Sequence, residues 1–285
     1  MRVVSLFDGM SCGQIALDRL GIKPEKYYAS EIDKYAIKVT QSNYPNTIQL
    51  GDIHNIDTSS LPVIDLLIGG SPCQSLSIVQ SKTRKHLNGK SKLFFKYVDI
   101  KNDINPKYFI FENVSSMNNE SKTAISIQLG CDPIFINSNC FSAQDRPRLY
   151  WTNIPVNMDI FESSKNISDI MEDSVDEKYY YDHPLLSVDM NKQVCATMDY
   201  NNHDMHKRIF NPKYKCHTLT TCSGGNTQKK VYDNGRARKM TPLEYERLQT
   251  VPDNYTNCVS NSQRYNMLGN GWTVDVICHI LKNMV

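Results

Sequence analysis

Five short apolar runs in the first 115 residues each stop at a polar or glycine-bearing signature, and this repetition constrains the fold more than any other feature. "RVVSLF" runs into "FDGMSCG" and "KYYASEI" ends on "EID". "TIQLGD" stops at Gly51 and Asp52, "VIDLLIGG" leads into "GGSPCQ", and "KYFIFEN" leads into "ENV". Helical patterns separate the first runs. "GQIALDRLG" from Gly13 keeps its apolar residues on one face and stops at Gly21, and "DKYAIKVTQSNYP" is ended by Pro45. "LLIGG" is continuously apolar, as in a strand buried on both faces. Strands alternating with helices predict an α/β fold, a doubly wound, mostly parallel sheet. Ligands bind beyond the carboxyl ends of the strands in such sheets. One crevice lined by five strand ends is therefore expected.

Composition changes after about Pro155. The stretch to Arg236 is rich in Asn, Asp, Lys and Tyr and is broken by "YNNHD", "SGGN" and "DNG". This predicts a smaller, loop-rich, partly β domain over 156–235, between a main domain at 1–155 and a return segment at 236–285. In the return segment, Thr241 reads as an N-cap, with Pro at the first helical position and Glu244 completing a capping box. "GWTVDVICHILKNM" is an apolar helix suited to packing on the main sheet. With 285 residues, 40% hydrophobic and 22% charged, the chain is long enough to bury a core and ordinary for a soluble protein. No apolar run approaches the ~20 residues of a membrane span. "MRVVSLFDGM" lacks the long apolar stretch of a signal peptide, so a cytoplasmic location is expected.

A net charge of +2 is too small to announce a nucleic-acid partner. The basic stretches "SKTRKHLNGKSK", "HKR" and "KKVYDNGRARK" read singly as solvated loops; together they suit phosphates. Nine cysteines without a CxxC pair argue for a reducing compartment and against a metal site. Cys216, His217 and Cys222 are the nearest approach to a cluster.

The strand-end residues suggest a nucleoside pocket. In "FDGMSCG", Phe7, Asp8, Gly9 and Ser11 let backbone approach a ligand at a helix N-terminus. Glu31 ends the second strand, where an acidic residue grips ribose hydroxyls; alone it would read as an exposed carboxylate before a helix. Asp52 is suited to accept from an exocyclic amine. Cys73 has been pushed past a buried strand into a polar loop. A free thiol has a pKa of about 8.5, and the basic loop that follows would favour the thiolate. Glu112 is placed to donate a proton or hydrogen bond in the same crevice. In "QDRPRLYW", Arg146 and Arg148 would point the same way if extended.

The order "FDGMSCG", "SEID", "GD", "GGSPCQ", "ENV", "QDRPR", "RKMTPLEYERLQTVP", "LGNGWTV" resembles the DNA cytosine-5 methyltransferases, in a small prokaryotic or phage form. The resemblance spans all but about 156–235. It implies a class I S-adenosylmethionine-dependent fold, with S-adenosylhomocysteine as product. It further implies Cys73 adding to C6 of a flipped-out cytosine in duplex DNA, Glu112 at N3 and the exocyclic amine, and Arg148 at O2. Arg146 would position the loop or backbone, Pro72 would shape the nucleophile's turn, and Asn113 would brace the site. Ile32 and the Asp52–Ile53 corner would hold adenine. Asn270 and Trp272 would close the pocket, with Pro72 also near the donor.

A lid from Ser75 to Lys92, hinged at Gly89, would meet DNA through Ser75, Lys82, Arg84 and Lys85. The variable domain would read bases with Thr218, Thr220, Asn226 and Gln228. The resemblance suggests a monomer and leaves room for a cognate restriction endonuclease. Two departures stand out: Ser11 and Cys12 replace the last two glycines of the family's F-x-G-x-G-G start, and Trp272 replaces a common valine. Both are similar to the branch of the animal de novo enzymes.

Three rival readings are open. A tRNA cytosine-5 methyltransferase would carry a Cys-Phe-Thr segment in the variable domain, whereas "CFS" at Cys140 lies elsewhere. A silent DNA-binding relative would lack the nucleophile or the glutamate. A cysteine hydrolase would need a histidine at a strand end.

Overall fold

The computed structural model describes residues 1–72, 91–199, 202–222 and 226–284. The chain divides into two compact units, Met1–Ile136 with Pro147–Met158 and Ile277–Val285, and Asn137–Arg146 with Asp159–Val276.

The first half of the chain alternates as the pattern predicts. β1 (Arg2–Leu6), α1 (Cys12–Arg19), β2 (Lys26–Ser30), α2 (Lys34–Asn43) and β3 (Ile48–Gln49) are followed by β4 (Leu66–Gly69). Then come α3 (Ser91–Ile104), β5 (Tyr108–Val114), α4 (Asn119–Leu129), β6 (Ile134–Asn137), β7 (Gln144–Asp145) and β8 (Pro147–Thr152). A seven-stranded sheet has the order β3-β2-β1-β4-β5-β8-β6. The pairs from β3 to β5 are parallel, and β8 runs antiparallel to β5. The order reverses beside β1, so chains leave β1 and β4 in opposite directions and open a crevice at their carboxyl ends.

Leu66, Leu67 and Ile68 of β4 are fully buried, as a central strand covered on both faces requires. Phe111 of β5 anchors an aromatic cluster, 4.8 Å from Tyr97, 5.3 Å from Phe94 and 5.9 Å from Trp151 between ring centroids. Such pairs add about 0.5–1.5 kcal/mol each beyond the area they bury. The Trp151 indole N–H is satisfied by the Ser126 hydroxyl at 2.9 Å.

α3 and α4 have no counterpart among the predicted elements. α4 nevertheless carries local signals: Asn118 caps it through Ser121 N–H at 2.8 Å, and Gly130 closes it at φ +74°.

The second unit contains β9 (Leu185–Leu186), β10 (Val194–Met198), α5 (Asp204–Lys207), β11 (Arg208–Phe210) and β12 (Cys216–His217). β13 (Lys230–Asp233), β14 (Arg236–Lys239), α6 (Pro242–Leu248) and α7 (Asn261–Asn270) follow, and α8 (Val274–Leu281) leads out of it. Its five-stranded sheet has the order β14-β13-β11-β10-β9, and β12 pairs with β7. These boundaries differ from the predicted 1–155, 156–235 and 236–285. The β7–β12 pairing draws Asn137–Arg146 into the second unit.

The predicted cap of α6 is present, and it helps retain this part of the return segment in the second unit. Glu244 both completes the Thr241 capping box and takes Arg238 in two hydrogen bonds of 2.7 and 2.8 Å. Both side chains are fully buried, so neither charge tolerates loss of the other. No helix among the described residues is long and apolar enough to cross a membrane.

Candidate functional site

The loop after β1 turns sharply, with Phe7, Gly9 and Ser11 all left-handed at φ +57°, +59° and +63°. Glycine takes that region freely, whereas a side chain costs about 1 kcal/mol or more. Ser11 is where the family's glycine is replaced, and its fully buried hydroxyl compensates. It donates to the Asp8 carboxylate and accepts from Gln14 at 3.2 Å and Thr40 at 3.1 Å.

The Asp8 side chain turns into the loop itself. Its carboxyl is engaged by Ser11 and by the Tyr27 hydroxyl at 2.8 Å, so it braces the loop from within. Burial pushes this carboxyl up to about 6, against hydrogen bonds from Ser11, Ser5 and Tyr27. The folded protein therefore holds the proton more tightly than the unfolded chain. The stability this contributes is complete below pH 3.8 and is lost as pH rises through about 6. Asp8→Asn should flatten that loss, roughly 2–3 kcal/mol across this window. Denaturant midpoints measured from pH 4 to 7 check it, and equal slopes for both proteins would exclude Asp8 as the cause.

Glu31, just past β2, accepts from Gly9 N–H through Oε2 at 2.8 Å. Its Oε1 accepts from Ile32 and Asp33 N–H at 2.8 and 2.9 Å. Three backbone donors fix the carboxylate, while Oε2 retains a lone pair for a further donor. Beside it Ile32 is 75% exposed, an unusual setting for a branched apolar side chain. Asp52 caps the turn at buried Ile53 through Oδ1, accepting from His54 N–H at 2.9 Å. This set of groups fits a nucleoside: an acceptor for ribose hydroxyls, an apolar face for a base, and a carboxylate to accept from its exocyclic amine.

Gly69, which ends β4, and Gly70 after it leave no room for a side chain. A Cβ on Gly69 would lie 2.7 Å from Leu6 O, and one on Gly70 would lie 2.9 Å from Glu112 Oε2 and 3.0 Å from Glu112 O. Only glycine lets this strand end approach the Glu112 carboxylate. Asn113, almost fully buried, donates to Ser71 O at 3.1 Å and thereby ties the end of β5 to the segment that carries Pro72. Glu112 Oε1 pairs with Arg148 Nε at 2.8 Å, and both side chains are 13% exposed. Gly70→Ala should push the Glu112 side chain aside and lower activity by about 10²-fold with the fold retained. Turnover and circular dichroism of the variant check it, and wild-type turnover would show that this close approach is immaterial.

The two arginines of "QDRPR" take different partners, contrary to the expectation that they point together. Arg146 is buried in the second unit and donates to Leu219 O at 3.2 Å and to Gly269 O and Gly271 O at 3.0 Å. It lies between the end of β7 and the start of β8, so no single extended strand carries both residues. Gln249, which no sequence signal singled out, donates to Leu268 O at 2.7 Å and Gly271 O at 3.0 Å.

Asn270 ends α7 and is exposed; Trp272, in the turn that follows, is partly buried. Both lie in the second unit. The Thr218 hydroxyl donates to Asp145 O at 2.7 Å, so its proton is engaged within the protein and not offered outward. Thr220 presses its carbonyl against Gly269, where a Cβ would approach to 2.3 Å. Asn226 is exposed at φ +59°. Gln228 keeps a buried Oε1 without a hydrogen-bond partner among the described residues. Cys73, Ser75, Lys82, Arg84, Lys85 and Gly89, the expected hinge, lie outside the described residues.

Comparisons with known proteins bear on the family and the fold. An orphan methyltransferase of Bacillus phage SPR, M.SPRI, is 28% identical over 79% of this chain and 64% of its own length. M.Rho11sI of Bacillus phage rho11s is 36% identical over 58% of this chain and 35% of its own. The chain thus covers under two thirds of either relative. M.SPBetaI of Bacillus phage SPbeta is 25% identical over the whole chain and 97% of its own length. Among solved structures, the Entamoeba histolytica methyltransferase EhMeth superposes with a TM-score of 0.75 at 17% identity, covering 99% of this chain and 97% of that one. The S. pombe Dnmt2 methyltransferase superposes at 0.67 and 19% identity, over 99% and 97% of the two chains. The family model for C-5 cytosine-specific DNA methylases matches residues 1–285. The chain belongs to the C-5 cytosine-specific DNA methylase family.

Proposed function

We propose that this protein transfers a methyl group from S-adenosylmethionine to C5 of a cytosine flipped out of duplex DNA. The observation that carries the reading is the Glu112–Arg148 pair, packed against Gly70 and braced through Asn113 on Ser71, two residues before Cys73. Family membership supplies the reaction class. S-adenosylmethionine would provide an electrophilic methyl group, held through its nucleoside by Glu31, Ile32, Asp52 and Ile53.

Cytosine C5 is a poor nucleophile, and the chain's own residues supply the remedy. The Cys73 thiolate adds to C6, forming an S–C bond and pushing the C5–C6 π electrons towards C5 and the ring's N3 side. Glu112, hydrogen-bonded to N3 and the exocyclic amine, supplies the proton that neutralises the charge there. C5 would then take the methyl group, whose bond to the donor's sulfonium sulfur breaks and leaves its electrons on that sulfur as S-adenosylhomocysteine. Loss of the C5 proton to water returns that bond's electrons to the ring; the thiolate then leaves C6 as N3 gives its proton back to Glu112, which restores neutral, aromatic 5-methylcytosine. Arg148 stands beside Glu112 and can turn to O2 as the base enters, exchanging a carboxylate for a neutral carbonyl oxygen that gains negative charge as the thiolate adds. Arg146 is a positioning residue, holding three carbonyls of the second unit. Flipping costs a few kcal/mol, which contacts outside the reacting base must offset.

Labelled methyl groups offered with duplex DNA and, separately, tRNA test the reading. Label is expected in duplex DNA as 5-methylcytosine, and bisulfite sequencing then gives the site. Label confined to tRNA would replace the substrate, and none in either would remove the activity.

A further inference from the structure

The five-stranded sheet of the second unit gathers cations at one end. β11 begins at Arg208 and β13 at Lys230, and the two run parallel, so both start there. β14 runs antiparallel to β13 and finishes there, with Lys239 directly opposite Lys230. Lys229 immediately precedes β13, and Lys207 precedes Arg208. Like charges facing each other across a ladder destabilise it, so the arrangement calls for a compensating partner.

Internal partners account for only part of this charge. Lys230 is buried and donates to His206 O and Asn226 O at 2.7 Å and to Gln228 O at 3.1 Å; it is a strut. Lys207 faces Asp204 at 4.0 Å, although Asp204 is 92% exposed. Arg208, Lys229 and Lys239 form no salt bridge among the described residues. Lys229 lies over the Phe210 ring at 5.7 Å and Lys239 over Tyr181 at 5.3 Å, so the sheet end presents cations on both faces.

Elsewhere the same sheet neutralises its arginines. Arg236 meets Glu177 at 2.6 Å and Asp182 at 3.4 Å, and Arg238 meets Asp233 at 2.7 Å and Glu244. The acidic residues near the cationic end are Asp199, which follows β10, Asp204, and Asp145 opposite His217. Asp145 accepts from Asn137 at 3.2 Å. Neighbouring groups register the surplus. His217 is held below its ordinary value by burial and then by Lys229 and Arg208, and Lys230 is brought down to about 8 by burial and then by Lys239.

We propose that Arg208, Lys229 and Lys239 form a sequence-independent clamp for the phosphodiester backbone of duplex DNA. This rests on the DNA-directed reading above and deepens it. The clamp adjoins the segment at Thr218–Gln228, because Lys229 follows Gln228 directly and Arg208 lies close enough to His217 to act on its titration. Phosphate contacts at this end would set the register in which that segment meets base edges.

The test is the salt dependence of duplex binding by the full chain, wild type against the triple variant R208Q/K229Q/K239Q. Each phosphate contact contributes a slope of about −0.9 in log K against log salt, so the variant's slope should be shallower by roughly 2.7. Affinity should fall by a similar factor on duplexes of unrelated sequence, since the backbone carries no sequence information. Removing mutually repelling charges should leave the melting temperature unchanged or raised. The pair K229R/K239R, which retains every charge, should keep the wild-type slope.

An unchanged slope in a folded triple variant would overturn the clamp, and so would a loss confined to one sequence. A triple variant that unfolds while the arginine pair loses its slope would also overturn it. Wild-type protein that binds no duplex at any salt concentration would instead remove the DNA-directed reading, and the clamp with it.

Discussion

Glu112→Gln is expected to lower the rate of methyl transfer by roughly 10²–10⁴-fold, the range a positioned proton donor contributes. The substitution keeps the shape of the side chain and removes its acidity. Arg148, 13% exposed and paired to Glu112 Oε1 at 2.8 Å, would face a neutral amide in its place. Leaving that guanidinium without an anion costs some stability, so the melting temperature should fall modestly while the fold persists. The informative comparison is between rate and affinity. A residue acting on charge that develops at N3 should change turnover far more than it changes binding of the duplex. Single-turnover transfer at saturating duplex and donor, beside duplex affinity, separates the two. Equal losses in both would make Glu112 a binding residue only, and an unchanged rate would remove it from the chemistry.

The features legible in the sequence are those with local physical causes. The first two strand-helix alternations follow from periodicity and from stops at Gly21 and Pro45. α6 follows from a capping box whose two hydrogen bonds are both present. The pile-up of polar signatures at strand ends locates the crevice because topology sends β1 and β4 apart. What the sequence concealed depends on distant partners. The side-chain role of Asp8 is hidden in the sequence, because its partner Tyr27 lies 19 residues away. Arg146 and Arg148 look like a pair in an extended segment until one meets Glu112 and the other meets Leu219, Gly269 and Gly271. The domain boundaries escaped for the same reason, since β7 finds its pairing partner in β12. Gln249 is invisible locally, being an ordinary helix C-cap residue whose side chain serves a distant turn.

The largest effect should come from the sulfur. Cys73→Ser is expected to reduce methyl transfer by at least about 10⁴-fold, the order seen when a covalent nucleophile is lost. A serine hydroxyl is almost wholly protonated near neutrality, whereas a free thiol with a pKa of about 8.5 is already a few per cent ionised. Binding of S-adenosylhomocysteine should survive, because the proposed nucleoside site draws on the ends of β1, β2 and β3, where three backbone donors fix Glu31, and not on Cys73. A duplex bearing 5-fluorocytosine sharpens the test. After methyl addition the ring cannot shed fluorine as it sheds a proton, so the S–C6 bond persists and protein and DNA migrate together under denaturing conditions. The wild-type protein should give this adduct only with methyl donor present, and Cys73→Ser should give none. An active wild-type preparation that never yields the adduct, or a serine variant that keeps turning over, would mean that cytosine is activated here without a covalent bond to Cys73.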